Sequence, residues 1–286
     1  MYWSNYHSHS TFCDGRSPME EFVRFAIAKG VKKYGFSSHA PLPFTTQWTM
    51  PEEDFVDYRQ EFYRLKEKYS SEIELFIGLE IDFIDGCSDA DNGFFRDKKL
   101  DYSIGSVHYT DLLDNKNNYW SVDGGFAEFD NGLQQFYKGN IRVATERFFE
   151  ITNKMIEKGG FDIVGHVDKI TYHGRKFRDF NVADKWYVNL MTNTLELIKN
   201  KGLLLEINTK SLREHGITYP HQFFYSLINE IGIPVMVNSD CHYPTNITDG
   251  FRETYKALKE AGFESMQQLT GGQWKPVPFD LSGLTN

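Results

Sequence analysis

The sequence predicts an α/β fold built on parallel strands, as either an open doubly wound sheet or a closed barrel. Short apolar runs and amphipathic helical segments alternate about seven times along the chain, as expected when each strand must return through a crossover to pair in parallel. No shift of composition marks a linker, and no short repeat or low-complexity tract breaks the alternation. The 286 residues suit one α/β barrel, which commonly needs roughly 250. The expectation is therefore a single domain over 1–286, with a long insertion loop at 109–139 on the side of the active site.

The elements follow in order. A first strand runs from Met1-Tyr2-Trp3 to His9. A helix is expected from Ser17-Pro18, with Ser17 as N-cap, Pro18 at the first helical position and Glu20-Glu21 in the first turn. Phe22, Phe25, Ala26 and Ile27 recur at helical spacing and Gly30 ends it. Val31 to His39 reads as a strand, followed by a loop holding Pro41, Pro43, Trp48 and Pro51 and a charged helix over 52–69. Glu72 to Glu80 is a strand that ends in a carboxylate, and Asp101 to His108 one that ends in histidine. Residues 109–139 are polar and spiked with Tyr119, Trp120, Phe126 and Phe129; a loop that long is uncommon unless it is functional or carries elements of its own. Then come a helix at 140–158 closed by Gly159-Gly160, a strand from Phe161 to His166 and a helix at 183–200. Leu203 to Asn208 is a strand, Tyr219 to Glu230 a helix, Ile233 to Asp240 a strand and 249–261 a last helix. The tail from Trp274, with Pro276 and Pro278, is expected to be irregular.

Composition narrows the function. The 40% hydrophobic fraction supports a substantial core, and 16% aromatic residues leave enough rings to line a pocket as well. A net charge of −9 argues against a general nucleic-acid binder, which needs a basic surface. A small phosphorylated substrate remains compatible, because bound cations would dominate the local field. Cys13, Cys87 and Cys241 form no CxxC pair, which fits a reducing compartment. The N-terminus runs into the first strand without a basic leader, and no apolar run approaches the ~20 residues of a membrane span. The expectation is a soluble, cytoplasmic protein with neither membrane nor nucleic acid as partner.

The chemistry concentrates at strand ends. His7 and His9, two apart in a strand, project from one face, and Asp14 follows in a turn closed by Gly15. An isolated pair of this kind is a core or surface feature about as often as a ligand pair. Position decides the matter. Of nine histidines, His7, His9, His39, His108, His166 and His242 lie at or within two residues of a predicted strand's carboxyl end, as do Glu80 and Asp240. In a parallel barrel those ends share one mouth. So many ligands exceed the need of one tetrahedral ion; they suggest two or three ions bridged by carboxylates, suited to phosphoester hydrolysis. His173, His215 and His221 lie away from strand ends and read as surface residues, and Cys13 and Cys241 are not counted as ligands, since Cys241 should face away from Asp240 and His242.

His7-Ser8-His9, Asp14-Gly15, Ser38-His39-Ala40-Pro41, Gly78-Leu79-Glu80, Gly105-Ser106-Val107-His108, Gly165-His166-Val167-Asp168 and Ser239-Asp240-Cys241-His242 occur in family order across 6–242. Together they resemble the PHP (polymerase and histidinol phosphatase) family. The resemblance implies a distorted (β/α)7, TIM-like barrel with three divalent metal ions, each zinc, iron or manganese. It assigns His7, His9, Glu80 and Asp240 to one ion, Glu80 with His108 and His166 to a second, and Asp14, His39 and His242 to the third. Length, the Gly35 to Pro43 phrase and the Glu206 to Arg213 phrase resemble the histidinol-phosphate phosphatases of that family, which implies hydrolysis of L-histidinol phosphate in histidine biosynthesis. Arg213 resembles that subgroup's phosphate-gripping arginine, as its planar fork suits phosphate, and Asp240 or His242 is expected to protonate the leaving group. An arginine often found after the Gly-His-x-Asp motif is missing; Lys169, Arg175 and Arg178 are the candidates to replace it. Trp48, and Trp120 with Asp123, are expected to cover the mouth and meet an imidazole and an ammonium. The competing readings are a PHP enzyme for another small phosphoester or a nucleotide, an amidohydrolase-like metal hydrolase, and a non-catalytic metal-binding barrel.

Overall fold

Seven strands pair in parallel and in chain order around a barrel, with two excursions from the alternation. The computed structural model describes residues 1–285 except 92–94, 96–97 and 113–118. Strands β1 (Trp3–Asn5), β2 (Val31–Phe36), β3 (Glu74–Asp82) and β4 (Tyr102–Ser106) come first. A hairpin of β5 (Tyr109–Leu112) and β6 (Tyr119–Ser121) interrupts, and then β7 (Ile163–Val164), β8 (Leu204–Asn208) and β9 (Val235–Asn238) complete the sheet in the order β1-β2-β3-β4-β7-β8-β9. The seam between β9 and β1 is closed by a parallel bridge of Ser8 to Cys241 and by Tyr6 N–H donating to Asn238 Oδ1 at 2.8 Å. This is the TIM-like barrel of the sequence reading.

Helices Met19–Ala28, Phe55–Lys68, Ile141–Lys158, Lys185–Lys201 and Phe251–Glu260 carry apolar stripes that pack on the outside of the sheet. The first begins a residue later than expected: Pro18 occupies the cap position and Ser17 does not cap. The helix expected from Tyr219 is a 3-10 turn, Gln222–Phe224, running into Tyr225–Ile231, because Tyr219 is held extended in an antiparallel bridge with Asn208 and the His221 side chain caps the turn by accepting from Phe223 N–H. Among the described residues no helix is long and apolar enough to cross a membrane.

Strand alternation makes the barrel interior apolar at the bottom and acidic at the top. Phe76 and Glu80 share one face of β3, Tyr102, Ile104 and Ser106 one face of β4, and Leu204 and Glu206 one face of β8. Tyr6, Phe76, Tyr102, Ile104, Ile163, Leu204 and Met236 fill the lower interior. The carboxylates and their partners stand above them.

Beneath this layer the tail from Trp274, expected to be irregular, supplies most of β11 (Gln273–Asp280) and all of β12 (Gly283–Leu284), antiparallel to each other and to β10 (Ser265–Thr270). Pro276 and Pro278 are two apart, so both missing N–H groups face one side of the strand and the alternate residues can still pair with β10. Trp274 packs edge-on to Tyr6 with ring centroids 5.0 Å apart, and Leu269 N–H donates to the Tyr6 hydroxyl at 3.0 Å. The hairpin plugs the barrel floor.

The insertion also carries its own structure. After β5 and β6 comes a helix, Phe126–Tyr137, while 113–118 lie outside the described residues. Trp120, expected near the mouth, is instead fully buried among Phe129, Phe136 and Tyr137 as the core of this excursion. Gly132 on the helix makes room for it: a Cβ there would lie 2.1 Å from the indole. Glycine to alanine inside a helix normally gains about 1 kcal/mol. Here the wall of rings behind Trp120 leaves it nowhere to retreat, and overpacking costs about 1–3 kcal/mol. Gly132→Ala is expected to lower the urea midpoint; a raised midpoint would contradict this packing.

Candidate metal centre

Because β1, β2, β3, β4, β7 and β9 all end at the same rim, the residues just past their carboxyl ends meet above the apolar layer. His7 and His9 follow β1, His39 follows β2, His108 follows β4, His166 follows β7, and Asp240 and His242 follow β9, while Glu80 stands near the end of β3. Asp14 is carried in by a turn whose Gly15 lies against the His9 and Ser10 backbone, where a Cβ would come within 2.4 Å. All nine residues singled out as metal ligands therefore come together.

Glu80 is the hub. Its Oε2 lies 3.1 Å from His7 Nε2, 3.5 Å from His9 Nε2 and 3.0 Å from His39 Nδ1. Its Oε1 faces the other way, 2.8 Å from His166 Nε2 and 3.7 Å from His108 Nε2, and accepts from Ser106 Oγ at 2.6 Å. Asp240 Oδ1 lies 3.1 Å from His9 Nε2, and Asp14 Oδ1 lies 3.2 Å from His242 Nε2 and 3.8 Å from His39 Nε2. Three overlapping donor groups result: His9, Asp14, His39 and His242; His7, His9 and Asp240; and His39, Glu80 and His108. His39 thus borders Glu80 as well as Asp14.

The donor set fits divalent cations on its chemistry and on its unmet polarity. His7 Nε2, His9 Nε2, Asp14 Oδ1, His39 Nδ1, Glu80 Oε2 and His166 Nδ1 are buried without a hydrogen-bond partner, a costly state for polar atoms. Imidazole and carboxylate donors suit zinc, iron and manganese. Among the described residues no thiol joins the donor groups: Cys13 Sγ hydrogen-bonds the far side of the His9 ring, 3.6 Å from Nδ1, and Cys241 Sγ faces the Tyr34 hydroxyl.

The electrostatics leave the carboxylates and His9 in binding form, whereas His7 and His108 would release a proton on taking up a cation. Burial opposes ionisation of Glu80, but His7, His39 and His108 hold its carboxyl well below the usual range. Burial likewise works against Asp240, and Lys210 and His7 overcome it. Burial and then the neighbouring His242 and His39 push His9 well down, keeping it neutral. Burial would lower His108 too, yet Asp82, Asp123 and Glu80 push it up to about 9. For His7 the burial penalty is outweighed by Glu206, Glu80 and Asp240, which raise it well above its ordinary value. Carboxylates that make a ring more basic also make it a better metal donor.

Two of those carboxylates escaped the sequence reading. Glu206 Oε1 lies 2.6 Å from His7 Nδ1 and also accepts from Asn238 Nδ2 at 3.1 Å; its Oε2 accepts from His166 N–H and Asn208 Nδ2, each at 3.0 Å. Asp82 Oδ1 lies 2.8 Å from His108 Nδ1. The signal was available, since Asp82 is two past Glu80 in one strand and Glu206 is a lone acid in Leu203-Leu204-Leu205-Glu206-Ile207-Asn208. Orienting partners of this kind typically change metal affinity by about 10–100-fold. Glu206→Gln is expected to weaken binding within that range in competition with a chromophoric chelator, and unchanged affinity would remove its orienting role.

The centre opens into a cavity of about 1160 Å³ lined in part by Trp48, Asp123, Lys169, Lys210 and Arg213. Trp48 stands edge-on to His39, with centroids 4.6 Å apart, and donates Nε1–H to the Tyr109 hydroxyl at 3.0 Å. Asp123 Oδ2 lies 3.4 Å from Lys169 Nζ and 4.0 Å from His108 Nε2. Lys169 is buried, and its Nζ lies 4.0 Å from Asp240 Oδ2. Lys210, which the sequence reading passed over, has Nζ 3.0 Å from Asp240 Oδ1. Arg213 sits on the rim, its side chain 76% exposed and its Nη1 3.3 Å from Asp249 Oδ2. His173, expected at the surface, is buried under the insertion, because the ring packs against Phe126 and Phe129, residues that sequence order gave no reason to place there.

The sequence matches the PHP domain family over residues 5–210. A "Probable histidinol-phosphatase" of Deinococcus radiodurans is 25% identical over 265 residues, covering 90% of this chain and 92% of that one. A "Histidinol-phosphatase" of Bacillus subtilis is 26% identical, covering 82% and 92% respectively. A crystal structure of histidinol phosphate phosphatase from Lactococcus lactis, complexed with zinc, L-histidinol and phosphate, is similar in fold. Its TM-score is 0.72 at 20% identity, over 96% of this chain and 98% of that one.

Proposed function

The chain belongs to the PHP domain family, and from that premise we propose that it is a metal-dependent phosphomonoesterase that hydrolyses L-histidinol phosphate to L-histidinol and phosphate, a late step of histidine biosynthesis in the cytoplasm. The observation that carries the reading is the convergence of His7, His9, Asp14, His39, Glu80, His108, His166, Asp240 and His242 around one buried glutamate at the foot of a cavity. The names of the relatives supply the substrate.

In this reading the donors hold three divalent cations. His7, His9, Glu80 and Asp240 take one, Glu80 with His108 and His166 the second, and Asp14, His39 and His242 the third. Glu80 faces both sides of the site with separate oxygens, so it could serve the first and second ions together. Bound cations supply a water-derived nucleophile at neutral pH and neutralise charge on the phosphoryl oxygens.

The chain's own groups do the rest. Lys169 and Lys210 flank Asp240 and present two ammonium groups to the phosphate, while Arg213 contributes from the rim after leaving Asp249. Asp240, kept ionised against burial by Lys210 and His7, takes the proton released by the attacking water and passes it to the departing alkoxide. Trp48 and Asp123 line the end of the cavity that takes the alcohol, offering a ring to the imidazole and a carboxylate to the ammonium.

The test is phosphate release by metal-loaded protein across histidinol phosphate, sugar phosphates and nucleoside monophosphates. We expect kcat/KM for histidinol phosphate to exceed the others by about 100-fold or more, the equivalent of a few well-made polar contacts. A sugar phosphate or nucleotide ranking first would move the assignment to that substrate.

A further inference from the structure

We propose that His173 is a positioning residue: its bond to the Gly124 carbonyl fixes Asp123, and through Asp123 the end of the cavity that receives the leaving alcohol. The proposal rests on the reading of Asp123 above. His173 Nε2 lies 2.7 Å from Gly124 O. A carbonyl only accepts, so Nε2 must carry the proton and donate. On the other side of Asp123, Val122 N–H donates to His108 O at 2.9 Å. Asp123 is therefore the residue between two pinned neighbours, and His173 is the pin made by a side chain.

One short stretch of the barrel serves three purposes. His166 enters the metal centre, Lys169 faces Asp123 at 3.4 Å, and His173 holds the turn that carries Asp123. The ring of His173 is set by Phe129, centroids 4.7 Å apart, and Phe126, at 5.5 Å, both on the helix that follows the turn. The insertion and the barrel loop are thereby fastened together beside the cavity through His173, Gly124, Phe126 and Phe129, none of which is one of the nine donors.

The experiment compares His173→Phe, which keeps a packed ring but removes the donor, with His173→Gln, which restores an N–H at similar reach. We expect His173→Phe to raise KM for histidinol phosphate by about tenfold, as expected for one lost orienting hydrogen bond, with kcat and metal content little changed. His173→Gln should recover most of the loss. In an Asp123→Asn background His173→Phe should add nothing, and amide exchange should quicken in 121–125 but not in β3 or β4.

The proposal is overturned if His173→Gln loses as much as His173→Phe. It is equally overturned if the two losses multiply independently, if kcat and metal content fall together, or if exchange at 121–125 is unmoved. If the wild-type chain prefers another monoester, the assigned substrate fails on that result alone. The KM split on the preferred ester and the exchange comparison, which needs no substrate, then decide His173 separately.

Discussion

Glu80→Gln is expected to cut phosphate release by about 10³-fold or more, the scale seen when an essential electrostatic group is removed from an active site. The glutamate is the only acid among the described residues whose two oxygens face His7, His9 and His39 on one side and His108 and His166 on the other. Glutamine keeps the shape but presents an NH2 to one of these sets, where imidazole nitrogens already compete for an acceptor. It also removes the negative charge that offsets the charge of the cations. Metal analysis of the purified variant should therefore show loss of bound ions together with loss of turnover. A variant that kept its full metal complement and more than about a tenth of its kcat, a change of under 1.4 kcal/mol in barrier, would sink the role given to Glu80.

Removing the ions should cost stability as well as activity. The unpartnered atoms of His7, His9, Asp14, His39, Glu80 and His166 are buried and gathered only in the folded chain, so the cations would be bound by the native state and scarcely by the unfolded one. A ligand present at a thousand times its dissociation constant stabilises by about 4 kcal/mol. For a chain of this size that corresponds to a fall in Tm of roughly 7 °C on chelation. Turnover should vanish with it and return on adding back zinc, manganese or iron(II). Undiminished activity after complete chelation, checked by metal analysis, would end the metal-dependent reading; an unchanged Tm would show that the cluster is stable without its ions.

The barrel and the donor set were legible because strand alternation and strand ends are local patterns. His7-Ser8-His9 states its own geometry, and Asp240 and His242 repeat it at the other end of the chain. The partners behind the donors were harder to see. Glu206 matters because β8 lies only one strand from β1 around the closed seam, with β9 between them, a relation of sheet order that does not appear in the residues around it. Lys210 was hidden behind Arg213, whose guanidinium matches a phosphate on paper but lies on the rim against Asp249. The tail after Trp274 was misread because its prolines signal irregularity, while their spacing of two leaves one ladder intact. His173 and Trp120 owe their burial to a hairpin and helix inserted between β4 and β7, and contacts across an excursion of that kind have no signature in periodicity.

The floor formed by Leu269, Trp274, Tyr6 and Tyr102 has a consequence for traffic. With the far end of the barrel stoppered, whatever enters must turn round and leave by the same doorway. A phosphate bound deepest would then wait behind the alcohol it was cut from, and the order of departure would follow from the shape of a vessel with one opening.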